Sequence, residues 1–472
     1  MDTYVAIDQG TTSTKAYQWQ PDTGGIQCIG VRGHAQIYPA RGWVEQDASA
    51  LLHNIRTLLS LAPARSKVGI ANQGESTVIW DGRTKRPLAN AIIWQDTRTE
   101  DMLARMQAAG IESETLQRAG LRLDSYFSAS KMKWLLEHTP EVQELRKKGS
   151  LRIGTTDAFF LDALTGHFVT DVSTASRTSL MNLQTCQWDP VLCDIFGIPM
   201  ECLPQIRPTV SDFGTVSNLP APDIRIVASC VDQQASLYGH DCKNPNDLKI
   251  TFGTGAFMLG LTGKQPVLQT ESGLIPTVAW QLGEDRPSYA LDGGVLTAGS
   301  ALEWGRKVGV ISNFENIGFN GPSCADRGIY FVPSLAGSGA PYWKRNARGT
   351  WHGLSLDTTG TDLGQSILEG IALRIEQVCR AFHDVIGGQP GRISIDGGMS
   401  TNTGFVKFLA NLLHHQIYRP DFSNMTALGM LSLCMQNDRT QHLLTPKWEK
   451  IQPERPIPRE IGHEFRRIMQ NS

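Results

Sequence analysis

Residues 8–15, Asp-Gln-Gly-Thr-Thr-Ser-Thr-Lys, are the first segment of the chain whose residue types could do chemistry. Small residues leave backbone N–H groups accessible, hydroxyl groups add hydrogen-bond donors, and a lysine supplies positive charge. A loop with these three features can hold a phosphate group. The segment lies between two apolar runs with strand character, which predicts a β-hairpin. Taken alone, the pattern is explained more readily by an ordinary Gly/Thr turn.

A second turn of the same kind follows the apolar run that starts at Leu248. It contains Thr251, Gly253, Thr254 and Gly255 and leads into another apolar run. Two such turns in matching places favour phosphate binding over two unrelated hairpins. Neither turn is a Walker A loop, because GxxxxGK followed by Ser or Thr is absent and each turn leads into a strand. A dinucleotide GxGxxG pattern is absent as well.

A third glycine segment follows the short strand predicted at 392–395. It contains Asp396, Gly397, Gly398 and Asn402 and ends where a helix is predicted from Thr403. Strand, glycines and helix N-terminus together make a place where a nucleotide can lie against the backbone. The alternative is that Asp396 and Asn402 only cap the helix and form the turn.

Composition limits what the protein can be. A chain of 472 residues predicts roughly two to four domains. The net charge of −2 provides no positive field for a polyanion, so nucleic acid is not expected as a partner. The N-terminus lacks a basic leader and no run of 18 apolar residues occurs, so neither secretion nor a membrane is expected. Nine scattered cysteines without a CxxC pair favour the reducing cytoplasm and no structural metal.

The spacing of apolar residues predicts strands and helices that alternate along the chain, which indicates the α/β class. Helices are predicted at 49–61, 128–138, 363–385 and 403–413. A cluster of turn residues at 244–247 predicts a boundary near residue 245, with domains at 1–244 and 245–472. The matching hairpins at the start of each domain indicate an ancient duplication.

Several of these segments resemble the FGGY family of carbohydrate kinases. The phosphate, substrate and adenosine motifs of that family are similar to DQGTTSTK (8–15), VDQQASLYG (231–239), TFGTGAFML (251–259) and IDGGMSTN (395–402). Segments 126–138 and 349–369 resemble its two signatures. Within the family, the likeness to glycerol kinases is greatest, through GHAQIYPARGWVEQDA (33–48), IANQGESTVIW (70–80), NAIIWQDTRT (90–99), TDVSTASRT (170–178) and GSGAPYW (337–343). The resemblance implies two actin-like, ribonuclease-H-like domains with the active site in the cleft between them.

The resemblance also implies roles for individual residues. Asp232 would be the general base; the alternative is that it only caps the helix that follows it. Asp8 would help to hold Mg²⁺. The substrate positions would be Gly74, Glu75, Trp94, Tyr126, Asp232, Gln233 and Phe257. The positions facing ATP would be Thr11, Thr12, Ser13, Lys15, Gly253, Thr254, Gly299, Glu303, Gly397, Gly398 and Asn402.

Three positions depart from the glycerol-kinase pattern. Gly74 stands where those enzymes have an arginine that hydrogen-bonds the polyol, so the pocket loses a charged donor and gains room. Glu303 replaces a glutamine near the nucleotide, and Lys344 replaces an aspartate without an assignable consequence. The enlarged site favours a four- or five-carbon polyol or ketose over glycerol, whereas Glu75, Trp94 and Tyr126 retain the glycerol-kinase type, so glycerol stays an alternative.

The sequence therefore predicts an ATP-dependent kinase that phosphorylates a terminal hydroxyl of a small polyol or sugar, with Mg²⁺, in the cytoplasm and with a homodimer possible. A xylulose- or ribulose-type pentulose kinase is the alternative within the family. An actin-like nucleotide switch and a sugar-sensing pseudokinase are alternatives of another class.

Overall fold

The computed structural model describes residues 3–20, 24–268, 270–311, 317, 319, 322–436, 438 and 444–470. In the first half of this described chain the strands are β1 (Tyr4–Gln9), β2 (Ser13–Gln20), β3 (Gly25–Gly33), β4 (Glu45–Gln46), β5 (Lys67–Asn72), β6 (Thr77–Asp81), β7 (Ala91–Ile92), β8 (Leu151–Thr155), β9 (Val169–Asp171), β10 (Met181–Asn182), β11 (Gln187–Trp188), β12 (Gln205–Arg207), β13 (Val210–Thr215) and β14 (Arg225–Val231). Its helices are α1 (Ala48–Leu59), α2 (Glu100–Ala108), α3 (Glu112–Arg118), α4 (Ser128–His138), α5 (Val142–Lys147), α6 (Thr156–Thr165), α7 (Val172–Ala175), α8 (Pro190–Phe196) and α9 (Asp232–Gly239).

The second half repeats the alternation of strands and helices. Its strands are β15 (Leu248–Phe252), β16 (Ala256–Gly263), β17 (Ile275–Trp280), β18 (Ser288–Val295), β19 (Tyr330–Val332), β20 (Thr350–His352), β21 (Ile393–Gly397), β22 (Ile417–Pro420) and β23 (Trp448–Ile451). Its helices are α10 (Gly299–Lys307), α11 (Gly360–Ile386), α12 (Thr403–Leu413), α13 (Met425–Cys434) and α14 (Arg459–Gln470).

The two large sheets share one topology. The first has the strand order β13-β14-β5-β1-β2-β3, and the second has β17-β18-β16-β15-β21-β22-β23. In each, an antiparallel hairpin with a third strand beside it is followed by two strands parallel to the first strand of the hairpin. The prediction of two ribonuclease-H-like α/β domains is confirmed, and the shared order agrees with a duplication.

The register of the first sheet fixes where its functional edge lies. Asn72 at the end of β5 is paired with Gln9 of β1 on one side and with Val231 of β14 on the other. The carboxyl ends of three parallel strands therefore lie in one row, which is where ligands of open α/β sheets bind. Asp8, the turn after Asn72 and Asp232 all lie at this edge.

Buried apolar side chains hold each sheet to its helices. Strand β1 is a central strand, and its residues from Tyr4 to Ile7 are buried on both faces, as continuous apolar runs in parallel sheets usually are. In the second domain α11 is 27 residues long and buried on all sides from Gly364 to Ile375, and its first turn is closed by a capping box between Thr359 and Asp362. Removing a fully buried leucine or isoleucine from either core costs roughly 2–5 kcal/mol.

Helix α13 joins the two halves, because it follows β22 in the chain but packs on α9 and on the first sheet. Glycines permit this close approach. A Cβ on Gly429 would lie 1.8 Å from the carbonyl oxygen of Ala235, and one on Gly239 would lie 2.3 Å from that of Met425. The N-terminus of α13 consequently lies beside the functional edge of the first sheet.

The helix predictions are confirmed with small changes in length. Helices α4 and α12 have the predicted bounds, whereas α1 ends at Leu59 and α11 extends from Gly360 to Ile386. The extension of α11 has local causes, because Thr359 caps its start and Gly387, with φ of 71°, ends it. Within the described residues, no helix is both long and apolar enough to cross a membrane.

Candidate functional site

The predicted base, Asp232, is the first residue of α9, directly after β14. The prediction placed it in the turn before the helix with an N-cap as its alternative; Val231 occupies the N-cap position instead. Its carboxylate accepts a hydrogen bond from the N–H of Gln233 at 2.6 Å. Burial, and then the nearby carboxylates of Asp8 and Glu75, raise the pKa of Asp232 to about 7. A carboxylate with such a pKa is suited to accept a proton near neutral pH.

Asp8 lies beside Asp232 at the end of β1. Burial raises its pKa, and a hydrogen bond from Asn424 and the charge of Lys15 oppose this rise. The Nδ2 atom of Asn424 donates to Oδ2 of Asp8 at 2.9 Å. The charge of Asp8 raises the pKa of Asp232, and two neighbouring carboxylates form an electronegative spot, which a divalent cation would relieve. Mg²⁺ usually takes only one or two protein carboxylates besides phosphate oxygens and water, so this pair fits the ion.

The predicted first hairpin is present, but its turn spans only residues 10–13 of the predicted segment 8–15, because β1 continues to Gln9 and β2 begins at Ser13. It is closed by a hydrogen bond from the N–H of Gly10 to the carbonyl oxygen of Ser13 at 3.1 Å. Side chains from outside the hairpin fix its position: the amide of Gln46 donates to the carbonyl oxygen of Thr11 at 2.6 Å, and Nε1 of Trp94 donates to its Oγ1 at 3.1 Å. Thr12 is exposed at the tip of the hairpin. Lys15 lies directly opposite Asp8 in the register of β1 and β2.

The second hairpin turn, at 253–255, is joined to the start of α10. The N–H of Gly299 donates to the carbonyl oxygen of Gly253 at 3.0 Å, and that of Ser300 donates to the carbonyl oxygen of Thr254 at the same distance. A Cβ on Gly299 would lie 2.5 Å from the Gly253 oxygen, so glycine is required there. Glu303 is exposed on the next turn of α10, 3.6 Å from Arg306.

The third glycine segment lies where β21 ends beside β15. Gly397 has φ of 87°, and a Cβ there would lie 2.3 Å from the carbonyl oxygen of Phe252. A Cβ on Gly398 would meet nothing within 4 Å, so the backbone is open on that side. A short 3-10 turn (Gly398–Thr401) separates these glycines from α12, and the side-chain oxygen of Asn402 caps that helix through the N–H of Phe405 at 2.9 Å. The capping alternative is therefore observed for Asn402.

The predicted substrate residues of the first domain lie together. Glu75 is buried in the turn after β5, with a φ of 61° that non-glycine residues rarely adopt. Trp94 and Tyr126 make an edge-to-face contact at 6.0 Å between ring centroids. Gly74 is buried, and a Cβ there would lie 3.0 Å from Cγ1 of Val231, the residue before Asp232. Strain at Glu75 is typical of residues whose position serves function.

Gln233 and Phe257 complete the predicted substrate set. Gln233 is half-buried beside Asp232, and its side-chain oxygen accepts a hydrogen bond from Lys249. Phe257 is half-buried on β16, opposite Thr251 of β15. These two side chains extend the set from the first domain to the first hairpin of the second.

Sequence reasoning missed four polar residues that contact this set. Lys249 is fully buried and donates to Oγ1 of Thr251 at 2.9 Å. Lys131, also buried, donates to the carbonyl oxygens of residues 125, 126 and 127 at 2.7–2.8 Å and so fixes the backbone at Tyr126. Asn424 holds Asp8, and Arg177 is bound to Glu75. The available signals were a lysine inside the apolar run LKITF and an arginine inside the quoted segment TDVSTASRT.

Family models match almost the whole chain. The N-terminal domain of the FGGY family of carbohydrate kinases matches residues 3–239, and its C-terminal domain matches residues 248–437. Curated relatives include a glycerol kinase from Parabacteroides distasonis, 38% identical over 90% of this chain and 87% of that protein. Another, from Paraburkholderia phymatum, is 36% identical over 96% of this chain and 91% of that protein.

Solved structures agree with the sequence matches. A crystal structure of Plasmodium falciparum glycerol kinase with ADP has a TM-score of 0.91 and 29% identity, over 100% of this chain and 97% of that one. A xylulose kinase from Lactobacillus acidophilus, at 20% identity and a TM-score of 0.87 over 100% of this chain and 97% of that one, shares the fold. With both family domains matched in order over the two sheets that form the site, the chain belongs to the FGGY family of carbohydrate kinases.

Proposed function

We propose that the chain is an ATP-dependent kinase that transfers the γ-phosphate to a terminal hydroxyl of a small polyol, with glycerol or a four- to five-carbon polyol or ketose as substrate. One observation carries the proposal. Asp232, at the carboxyl end of a parallel strand, is half-buried beside Asp8, and desolvation together with the nearby carboxylates raises its pKa to about 7. The relatives named as glycerol kinases support the polyol class.

In the proposed reaction Asp232 accepts the proton of the attacking hydroxyl as that oxygen bonds to the γ-phosphorus, while the bond from the γ-phosphorus to the β–γ bridging oxygen breaks and ADP leaves. Phosphoryl transfer needs little covalent chemistry from a protein, so most of the catalysis is positioning and charge stabilisation. The N–H and hydroxyl groups of Thr11, Thr12 and Ser13, together with Lys15, would bind the moving phosphoryl group. Thr254 would bind the neighbouring phosphates from the opposite domain.

A magnesium ion, when bound, would neutralise charge on the β- and γ-phosphate oxygens. Asp8 would hold it, and Asn424 orients Asp8 for that purpose. The nucleotide would lie against the backbone of the second domain, where Gly299 and Gly397 allow close approach and Gly398 is open on one side. Gly253, Glu303 and Asn402 would border the same surface.

The polyol would lie between Trp94 and Tyr126 on one side and Phe257 on the other. Aromatic faces suit the C–H groups of a polyol, and its hydroxyls need paired donors and acceptors. Glu75 and Gln233 would supply such groups, next to Asp232. Gly74 contributes no side chain, which leaves room for a longer chain of CHOH units.

The proposal includes a domain boundary between residues 244 and 245, with domains at 1–244 and 245–472. It also includes the cytoplasm as the compartment, which agrees with the absence of a disulfide from all nine cysteines. A pentulose kinase is the second candidate within the family. The observation that favours this second candidate is the glycine at position 74, since a larger pocket admits a five-carbon ketose.

The test is turnover by the purified full chain with ATP and Mg²⁺. The panel contains glycerol, erythritol, ribitol, xylitol, D-xylulose and D-ribulose, and ADP release is followed. We expect release that depends on one class of acceptor. ADP release independent of any acceptor would indicate a nucleotide switch, and none with any acceptor would indicate a pseudokinase; either result overturns the proposal.

A further inference from the structure

Arg177 joins the two domains inside the candidate site. It follows α7, and its side chain is 3% exposed. Its Nε atom donates to Oε1 of Glu75 at 2.5 Å, and its Nη2 atom donates to Oδ2 of Asp292, on β18 of the second domain, at 3.0 Å. The guanidinium carbon lies 5.7 Å from the ring centroid of Tyr126. Glu75 and Tyr126 of the proposed polyol site, and Asp292 of the second domain, therefore surround one positive charge.

One nitrogen of the Arg177 guanidinium, Nη1, is buried and donates no hydrogen bond of standard geometry to the residues that the structure describes. The side chain of Tyr126 also interacts with the guanidinium. Buried donors are almost always paired, so an unpaired one in a binding site indicates a missing partner. The guanidinium remains charged here, because the Coulombic attraction of Glu75 and Asp292 opposes the effect of burial on its pKa.

The chemistry of the surrounding groups indicates the kind of partner. A hydroxyl group both donates one hydrogen bond and accepts others. Nη1 can donate to such an oxygen, and the carboxylates of Glu75 and Asp292 on either side can accept its proton. A carboxylate or phosphate ligand would satisfy Nη1 but would be repelled by these two carboxylates. The set consequently fits a neutral, hydroxyl-bearing ligand.

We propose that Arg177 is a specificity-determining residue, which donates from Nη1 to a hydroxyl of the substrate distant from the phosphorylated end. The inference rests on the proposed polyol-kinase function. With glycine at position 74, Arg177 would supply a charged donor to the pocket from the end of α7. Arg177 is hydrogen-bonded to Glu75 of the first domain and to Asp292 of the second. A polyol bound to Arg177 would therefore be held by a side chain that is fixed to both domains.

The first experiment is a crystal structure of the wild-type chain with the polyol that has the highest kcat/KM in the panel. A hydroxyl oxygen within about 3.2 Å of Nη1 is expected. A bound polyol whose hydroxyls all lie beyond 4 Å from Nη1 would overturn the proposal. This measurement needs no variant that could fail to fold. If no acceptor in the panel is phosphorylated, the proposed function fails, and that outcome differs from a misplaced hydroxyl in an active enzyme.

The second experiment compares wild type with Arg177→Lys on that polyol and on its deoxy analogues, which for glycerol are propane-1,2-diol and propane-1,3-diol. Wild type should lose about 10- to 150-fold in kcat/KM when the contacted hydroxyl is removed. Arg177→Lys should lose a similar factor on the full polyol and show little further loss on that analogue. An equal loss on all acceptors would mean that Arg177 only supports Glu75, which overturns the proposal.

Arg374→Lys is the matched control for this comparison. Arg374 is also buried, and its Nη2 atom donates to the carbonyl oxygen of Ala340 at 2.7 Å in the core of the second domain. This variant should leave the discrimination between polyol and deoxy analogue unchanged. If both variants lose the discrimination between the polyol and its deoxy analogue, the loss comes from perturbing any buried arginine. That result would contradict the proposed role of Arg177.

Discussion

The side chain of Asn424 donates from Nδ2 to Oδ2 of Asp8 at 2.9 Å, across 416 positions of sequence. Its Oδ1 atom accepts the N–H of Ala427 at 2.8 Å and so caps α13. One amide therefore fixes the start of a helix from the second domain and a carboxylate at the functional edge of the first. The position of Asp8 depends on how α13 docks against the first sheet.

Replacing Asn424 with serine should raise the Mg²⁺ concentration needed for half-maximal activity by about tenfold. Serine keeps a helix cap but is too short to donate to Asp8, and a charge-assisted hydrogen bond contributes about 1.5–3 kcal/mol. Without that donor the pKa of Asp8 rises further, so protons compete better with the cation. The measurement is a Mg²⁺ titration of ADP release at two pH values.

Asn411→Ser is the control for this variant. The side-chain oxygen of Asn411 accepts from the N–H groups of Glu454 and Arg455 at 2.8 and 3.0 Å, away from the site. An unchanged Mg²⁺ requirement in Asn424→Ser, together with a lower melting temperature, would limit Asn424 to the capping role.

Asp232→Asn should reduce turnover by about 10²- to 10⁴-fold, because the amide keeps the shape of the carboxylate but cannot accept a proton. ATP binding, measured by calorimetry, should change little. Asp241→Asn, at an exposed position paired with Lys243, is the matched control. Turnover of Asp232→Asn within threefold of wild type would remove this residue from the mechanism.

The same residue should set the acidic limb of the pH profile in wild type. The pKa of Asp232 is raised to about 7, so the carboxylate becomes protonated as the pH falls through this value. Because only the deprotonated form accepts a proton, kcat/KM should fall below that pH. A cation beside Asp8 lowers the pKa of Asp232, so saturating Mg²⁺ should move the limb to lower pH. A profile that stays flat down to pH about 5 would contradict the base assignment.

The residues predictable from sequence are those that local chemistry places. The hairpin turns at Gly10 and Gly253 follow from small residues between apolar runs, and α4 and α12 follow from periodicity. Asp232 follows from a strand that precedes a helix, although the helix starts one residue earlier than the pattern indicates. In each case the determining residues are neighbours in sequence.

The remaining residues of the site depend on contacts between distant segments. Arg177 and Glu75 are 102 positions apart, and no periodicity links them. Lys249 sits in a run that reads as an apolar strand, and only the packing of β15 against β21 sets it near Asp396. These contacts form because a buried charge must find a partner, and the packing of distant segments decides which partner it finds.

A buried pair of carboxyl groups beneath the site should make stability depend on pH. Asp157 accepts hydrogen bonds from the hydroxyl of Thr170 at 2.7 Å and the N–H of Asp171 at 3.2 Å. Burial, and then the charge of Asp171, raise the pKa of Asp157 to about 6. In the unfolded chain the value is about 3.9. Between these two values the folded state binds more protons than the unfolded state.

The contribution of Asp157 to stability should therefore decrease as the pH rises from about 4 to 6 and stay low above that. Asp157→Asn removes the ionisation, so its melting temperature relative to wild type should increase over that range. Differential scanning calorimetry at several pH values measures this difference. Asp241→Asn should show no such trend. A difference between Asp157→Asn and wild type that is constant with pH would mean that Asp157 keeps one protonation state throughout.

The last prediction concerns Gly74 and the length of the substrate. If the absent side chain leaves room, then four- and five-carbon polyols or ketoses should have a higher kcat/KM than glycerol in wild type, since they gain contacts that glycerol cannot reach. Gly74→Arg should fill that room, supply a second fork of donors and shift the preference toward glycerol by about ten- to a hundredfold. The backbone conformation permits the change, because φ of Gly74 is outside the left-handed region, but the new Cβ would lie 3.0 Å from Cγ1 and 3.7 Å from Cγ2 of Val231, so the side chain of Val231 must shift slightly. Gly74→Ala separates the two effects, since it adds the Cβ contact without a donor and should shift the preference little. A wild-type enzyme that favours glycerol over every longer acceptor would show that the space beside Glu75 is not used by substrate.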